Sequence, residues 1–155
     1  MSHPGKTDIE AVNVTIAKLF KAISFEKGTS PSIHEIKHLF VNGGMLINFN
    51  EEHPQTFTVE AFIEHFIKLF EDKIVEGLED REVHHKTKVY DRIAHRYSFY
   101  EARVTPAEDP FAVGVNSIQL VKESADWKIS SMIWNDDIRG DGFFQRTMKC
   151  VQDNS

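Results

Sequence analysis

Cysteine is almost missing from this chain of 155 residues, where Cys150 stands alone. One thiol closes no internal disulfide, so the core must hold without a covalent staple, and a reducing compartment is compatible with it. Its place near the tail marks it as a bystander and not a nucleophile. Long apolar runs are missing as well. No stretch approaches the roughly 20 residues that span a bilayer, and the opening MSHPGKTDIE has no apolar signal core, so a cytoplasmic protein with no membrane partner is expected. A basic excess is the third absence: 18 Lys and Arg face 24 Asp and Glu, the formal net charge is -6, and the basic residues are scattered. Nucleic-acid binding needs Lys and Arg massed on one face, so nucleic acid is not an expected partner. Internal repeats and low-complexity segments are also absent. At 41% hydrophobic and 27% charged, the chain is the size of one ordinary domain. A single domain over 1–155, with its core at 6–138, is expected.

What is present is a change of period along the chain. Thr7 and Glu10 fit a capping box around Ile9, Val12, Ile16, Leu19, Phe20 and Ile23, which predicts a helix ended by Gly28. Ser30-Pro31-Ser32 opens a short second helix with Ile33, Ile36, Leu39 and Phe40 on one face, stopped by Asn42-Gly43-Gly44. MLINF at 45–49 reads as a short strand and EEHPQT as a polar loop. Thr58 caps a third helix whose apolar arc, from Val59 through Phe62, Ile63, Phe66 and Phe70, is broad enough to be largely buried. Beyond Ile74 a period of two takes over. Residues 83–90 alternate, Asp91-Arg92 signals a tight turn, and IAHRYSFYEARV, FAVGVNSIQLV and DWKISSMIW then follow as strands within 93–134. The tail after Ile138 reads as irregular. Helices first and long strands after is an α+β order, with the helices gathered on one face of an antiparallel sheet.

The segments FKAIS, SPSIHEIKHLF, GGMLINF, TVEAFIEHF, EDREV, IAHRYSFYEAR, GVNSIQLV and WKISSMIW together resemble the nuclear transport factor 2-like superfamily, close to its SnoaL-like proteins. The resemblance covers most of the chain and is most specific in the last three segments. It implies a cone-shaped α+β fold of cystatin-like architecture: three N-terminal helices packed on a curved, mixed, mostly antiparallel β-sheet. It also implies an apolar-lined pocket and often a homodimer made through the sheet. No single reaction follows, because the superfamily includes isomerases, cyclases, dehydratases, transport factors and members without assigned activity.

Two histidine patterns invite a metal. His34-Glu35-Ile36-Lys37-His38 matches H-E-x-x-H, in which two histidines one helical turn apart bind zinc and the glutamate acts as base. With Ile36 and Leu39 facing the core, His34 and His38 are expected on the solvent side, so a zinc peptidase is only a remote alternative. His84 and His85 are strand neighbours that point to opposite faces and cannot chelate one ion together. No metal and no cofactor are expected.

The last hairpin permits a register count. If residues 123–126 form a four-residue connection, Lys122 opposes Trp127, and the pairs Leu120 with Ile129, Ile118 with Ser131 and Asn116 with Ile133 follow on one concave face. Asn116 and Ser131 would then be the polar groups inside. The other face would carry Gln119, Met132 and Trp134, whose apolar character suits a sheet-to-sheet dimer, with Trp134 at a pocket mouth as the alternative. A two-residue turn at Asp91-Arg92 puts Val83, His85, Thr87, Val89, Ala94, Ser98 and Tyr100 together, and one added residue swaps the pairing. His85, Ser98, Tyr100 and Asn116 are therefore expected to converge in the cavity, with His95 and Tyr97 as the other-face alternative.

In cones of this type the resemblance implies acid-base chemistry, a carboxylate or histidine moving a proton beside a carbonyl and a tyrosine holding the oxyanion. Tyr100 would donate and His85 or His95 would shuttle protons. Asp91, Asp109, Asp136 and Asp137 fall in turns or strand ends and Glu79 and Glu82 adjoin Arg81, so no buried aspartate pair is expected. The expected function is a pocket for a small, partly apolar ligand. The alternative is a metal-free acid-base enzyme, an isomerase, cyclase or dehydratase resembling ketosteroid isomerase.

Overall fold

The computed structural model of the chain describes residues 6–153. Helix α1 (Lys6–Ile23) is followed by a 3-10 helix (Ile33–His38), strands β1 (Phe40–Asn48) and β2 (Gln55–Thr58), and helix α2 (Val59–Glu71). Strands β3 (Glu79–Tyr90), β4 (Ile93–Arg103), β5 (Ala112–Glu123) and β6 (Asp126–Asp136) then run as a meander, and α3 (Phe143–Asp153) closes the chain. The six strands form one sheet in the order β2-β1-β6-β5-β4-β3, antiparallel except where β1 runs parallel to β6. The α+β architecture expected from the sequence is present, with α1, the 3-10 helix and α2 on the inner face.

The core follows from the apolar spacing. Val12, Ile16 and Leu19 of α1, Ile33 and Ile36 of the 3-10 helix, and Ile63 and Phe66 of α2 are buried with Ile118, Leu120, Ile129 and Met132 of the sheet. Each such side chain contributes about 1.5–3 kcal/mol when taken fully out of water. Polar ties fix the layers. Thr15 Oγ1 of α1 donates to the Trp127 carbonyl at 2.8 Å, and Asp8 Oδ1 accepts from both Lys122 Nζ and Trp127 Nε1.

Several local expectations change. Thr7 lies inside the first turn of α1, which ends at Ile23, five residues before Gly28. The chain there turns into an antiparallel bridge between Phe25 and Leu78, so its backbone hydrogen bonds go to the start of the sheet and not to another helical turn. Asn42-Gly43-Gly44 does not stop a helix but bulges within β1, and the end of the loop read from EEHPQT pairs as β2. Thr58 does cap α2, its Oγ1 accepting from the Ala61 N–H.

Register carries the largest correction. Leu120 opposes Ile129 and Lys122 opposes Trp127 as counted, but one extra residue at Ser130 shifts everything beyond it. Ile118 faces Met132 and Asn116 faces Trp134, so Met132 and Trp134 point inward and Ser131 points outward. Met132 is buried in the core, and the Trp134 ring meets Phe62 edge-on at 5.8 Å. Neither is on the outer face that a partner would meet. Gln119 remains exposed there.

The tail is not irregular either. α3 lies against the outer face, where Phe144 is 3% exposed and its ring meets Phe99 edge-on at 5.8 Å. Phe144→Ala is expected to cost about 3 kcal/mol. A urea midpoint unchanged by that substitution would show that α3 contributes nothing to the folded core.

Candidate functional site

Three strands place the polar residues of the cone interior. Ser98, Tyr100 and Arg96 alternate along β4 on the inner face, opposite Asn116, Gly114 and Ile118 of β5. His85 and Thr87 of β3 pair with Ser98 and Arg96, as a two-residue turn at Asp91-Arg92 requires. An extra residue at Val83 then shifts β3, so that Glu82 pairs with Tyr100 and Asp80 with Ala102. Both acids turn inward. Val83, expected inside, is 38% exposed.

Two clusters result. In the first, the Arg96 guanidinium, only 3% exposed with its residue, donates to both oxygens of Glu82, to Asn13 Oδ1 at 2.6 Å and to Thr87 Oγ1 at 3.1 Å. Ser98 Oγ donates to Glu82 Oε2 at 2.5 Å. His85 stands at the exposed rim of this cluster, where burial and the Arg96 charge hold its imidazole below the usual range against the pull of Glu82.

The second cluster is Asp80, Tyr100 and Asp136. Tyr100 Oη donates to Asp136 Oδ1 across the strand between them, and Gly114 is what makes the crossing possible. Tyr100 pairs with Gly114 and Gly114 with Asp136, so the three lie in one row. A Cβ on Gly114 would stand 2.7 Å from Tyr100 Cζ and would also collide with the Asn135 carbonyl. The backbone of Asp136 is held by Asn50 Oδ1, which accepts its N–H at 2.6 Å. Asp80 is held by Ser24 at the end of α1, whose Oγ accepts the Asp80 N–H and donates to its carbonyl.

The electrostatics of this row are set by what is missing from it. Asp80 Oδ1 is out of solvent with no hydrogen-bond partner. Burial and the charge of Asp136 push its carboxyl up from 3.8 to about 7. Burial, the hydrogen bond to Asp136 and the two carboxylates raise the Tyr100 phenol well above its ordinary value, so it keeps its proton. Asn116, 2% exposed, also has an unpartnered Nδ2.

His85, Ser98, Tyr100 and Asn116 share one face of the sheet, with His85 exposed at its rim. Ser131, His95 and Tyr97 lie on the other. His95 Nε2 is 3.0 Å from Ser117 Oγ, and burial lowers its pKa. Asp80, Glu82, Arg96 and Asp136 were missed as site residues. The expectation that no aspartates come together inside is overturned by the two strand bulges that turn Asp80 and Asp136 inward.

The remaining histidine motif is accounted for by helix type. His34, Glu35 and His38 are exposed on a 3-10 helix, where about three residues per turn leave side chains four apart roughly 120° apart round the axis. Among the described residues no group of three His, Cys, Asp or Glu is placed to hold a metal ion. No helix among them is long and apolar enough to cross a membrane. Two clefts are present: one of about 1100 Å³ beside α1, lined by Lys18, Lys21 and Lys128, and one of about 660 Å³ beside α3, whose lining joins Tyr97 and Ile133 of the outer face to Trp134 and Asp136. Neither is lined by Asp80 or Asn116.

No protein-family model and no curated protein matches the sequence. Solved structures match its fold. A protein of unknown function with a cystatin-like fold from Nostoc punctiforme shares 12% identity over 87% of this chain and 95% of its own, with a TM-score of 0.70. A protein provisionally named a scytalone dehydratase, from Novosphingobium aromaticivorans, shares 14% over 84% of this chain and 85% of its own, at 0.64. A provisionally named dehydratase of the nuclear transport factor 2-like family from Streptomyces avermitilis shares 11% over 85% and 97%, at 0.65. The fold is therefore nuclear transport factor 2-like.

The Asp80 carboxyl has a consequence for stability. Below about pH 4 folded and unfolded chains both hold the proton. Between about 4 and 7 only the folded chain keeps it, so stability falls as pH rises through this window, and above 7 the loss is complete. Asp80→Asn is expected to remove this slope and to gain on the order of 2–4 kcal/mol relative to wild type between pH 4 and 8. Parallel urea-midpoint curves for the two proteins would show that Asp80 ionises as an ordinary surface aspartate.

Proposed function

We propose that this nuclear transport factor 2-like cone takes up a small, partly apolar ligand and performs metal-free acid-base chemistry on it. One observation carries the reading: a buried carboxyl that changes protonation near pH 7, Asp80, shares its face with a phenol that keeps its proton, Tyr100. A group that moves protons works best with a pKa close to the working pH. A buried donor aimed at a developing oxyanion stabilises it far more than a donor in water does.

The roles follow from these properties. Asp80, as carboxylate, removes a proton from the carbon beside a substrate carbonyl. Tyr100 turns its O–H from Asp136 to the enolate oxygen. Returning the Asp80 proton to another carbon completes an isomerisation. Giving it to a β-hydroxyl as the C–O bond breaks releases water and completes a dehydration. The dehydratase names of two fold neighbours agree with the second outcome. Phe25 packs edge-on against Phe66 and Phe70, Phe66 meets Phe62, and Phe62 packs edge-on against Trp134, one continuous aromatic cluster of the kind that suits an apolar ligand. His95, on the outer face, takes no part, and His85 stays at the rim.

The test is deuterium uptake at the α-carbon of one- and two-ring cyclic ketones in D2O, followed by NMR. Wild type is expected to accelerate uptake with a pH profile bending near 7, and Asp80→Asn to slow it by about 10²–10⁴-fold. Equal rates for the two proteins, or none above buffer, would sink the assignment.

The reading includes a cytoplasmic setting and a homodimer through the outer face. Met132 and Trp134 cannot serve there, so the contact would use Gln119 with Met45, Ser131 and Ile133, which neighbour it or lie beside it on that face. A sedimentation mass of two protomers at micromolar concentration is expected, and Gln119→Arg with Ile133→Glu should halve it. A mass of one protomer for wild type removes the dimer and leaves the acid-base site untouched.

A further inference from the structure

Two exposed aromatic rings, far apart in the chain, belong to one cleft. Phe49, just beyond β1, and Phe143, at the start of α3, are 45% and 43% exposed, and both line the space of about 660 Å³ beside α3. Each is carried on a fixed backbone. The Phe49 N–H donates to the Trp134 carbonyl at 3.0 Å and its carbonyl accepts from Asn135 Nδ2 at 2.9 Å, while the Phe143 N–H donates to Asp141 Oδ1 at 3.1 Å. Tyr97 of β4 and the exposed Ile138 line the same space. Apolar surface gathered in a concavity of this size and left wet is the usual form of a small-molecule site.

Charge selects the occupant. The lining includes four carboxylates, Glu51, Glu52, Asp136 and Asp137, against one cation, Arg139. Glu51 and Glu52 are exposed and stand in no ion pair among the described residues. Arg139 is already engaged, 3.4 Å from Asp141 and with its guanidinium carbon 4.3 Å from the centroid of the Phe143 ring. An anion finds no free donor at the start of α3, because the Phe143 and Phe144 N–H groups donate to Asp141 and Asp137. A metal ion is no better served, since among the described residues no three acids come together as ligands. The chemistry that fits is a weakly hydrated organic cation: aromatic faces attract it, and a cleft lined by carboxylates concentrates it. The contact of Arg139 with Phe143 is that same interaction, made by the chain itself.

We propose that the cleft beside α3 is a second binding site and that it takes a small alkylated ammonium ion. The site shares Asp136 and Gly114 with the acid-base row but does not rest on the reading of that row. The cationic head lies against the aromatic rings of Phe49 and Phe143, and Glu51 and Glu52 at the rim balance its charge. Arg139 is an internal stand-in for the ligand. A bound ammonium ion displaces its guanidinium from the Phe143 ring and leaves it to Asp141, the partner it already has.

Three probes of one outline test it on the full chain: choline, its neutral isostere 3,3-dimethyl-1-butanol and the anion 3,3-dimethylbutanoate, with binding followed by NMR of the indole N–H resonances. Trp134 lines this cleft and Trp127, the other tryptophan, lines the larger one beside α1, so the resonance that moves reports the place. Choline is expected to shift Trp134 and not Trp127, and to bind at least about tenfold more tightly than the alcohol. The paired substitution Glu51→Gln and Glu52→Gln, both at exposed positions, should weaken choline by about threefold to tenfold, leave the alcohol unchanged and reduce the salt dependence of binding. Arg139→Gln frees the Phe143 ring and removes a like charge, so it should tighten choline by about the same factor. Equal binding of choline and the alcohol, tighter binding of the anion, or a shift of Trp127 in place of Trp134 overturns the proposal. Weaker choline binding in Arg139→Gln does so too, and so does the absence of any shift with all three probes. None of these outcomes bears on deuterium exchange at Asp80.

Discussion

The rest of the interior depends on the ion pair between Arg96 and Glu82. A guanidinium removed from water is tolerable only with its donors met, and here they reach Glu82 and Thr87 of β3 and Asn13 of α1. One side chain thus ties the first helix to the edge of the sheet. Its second effect is on charge. Because Arg96 is spent on Glu82, no cation among the described residues pairs with Asp80 or Asp136, and burial, reinforced by the charge of Asp136, raises the Asp80 carboxyl. The structural pair and the candidate acid are two consequences of one allocation.

Tyr100 answers the same shortage in another way. With no cation to offer Asp136, the fold supplies a neutral donor, and it reaches only because β5 carries glycine at the crossing. Gly114 serves here through the absence of a side chain and not through backbone freedom. A phenol lying over a glycine on the adjacent strand also fills the gap that glycine leaves in the sheet. Packing and chemistry therefore constrain this position together, and an alanine there would disturb both.

Legibility of the sequence followed the kind of signal. Long periodic segments were readable: the apolar stripe of α1, the broad arc of α2 capped by Thr58, and the four strands of the meander all stand where spacing placed them. A family resemblance added the cone. Features decided by a single residue or by hydrogen-bond type were not readable. A 3-10 helix and an α-helix carry the same apolar pattern over six residues, yet only the second stacks His34 over His38. α3 has a strong amphipathic pattern at 143–153 that could have been found, but its glycine-flanked, polar approach at 139–142 concealed it.

The candidate acids show why the site was harder to read than the fold. Strand alternation is a count of parity, and one extra residue inverts it from that point onward. Counted straight from the Asp91-Arg92 turn, β3 would present Val83, Arg81 and Glu79 inside. With the bulge at Val83 it presents Glu82 and Asp80. Counted straight from the last hairpin, β6 would present Ser131, Ile133 and Asn135. With the bulge at Ser130 it presents Met132, Trp134 and Asp136. The aspartate pair therefore exists only because two separate strands are each bulged once, on opposite sides of Tyr100. Without the β6 bulge Asp136 would face out, and Asp80 would lose the like charge that adds to burial in raising its carboxyl. Ser130 stabilises its bulge by donating its hydroxyl to the Gln119 carbonyl at 3.2 Å. Bulges of this kind re-aim side chains at the cost of local pairing, and here they turn Asp80 and Asp136 to one face, where burial and the Asp136 charge push the Asp80 carboxyl up to about 7.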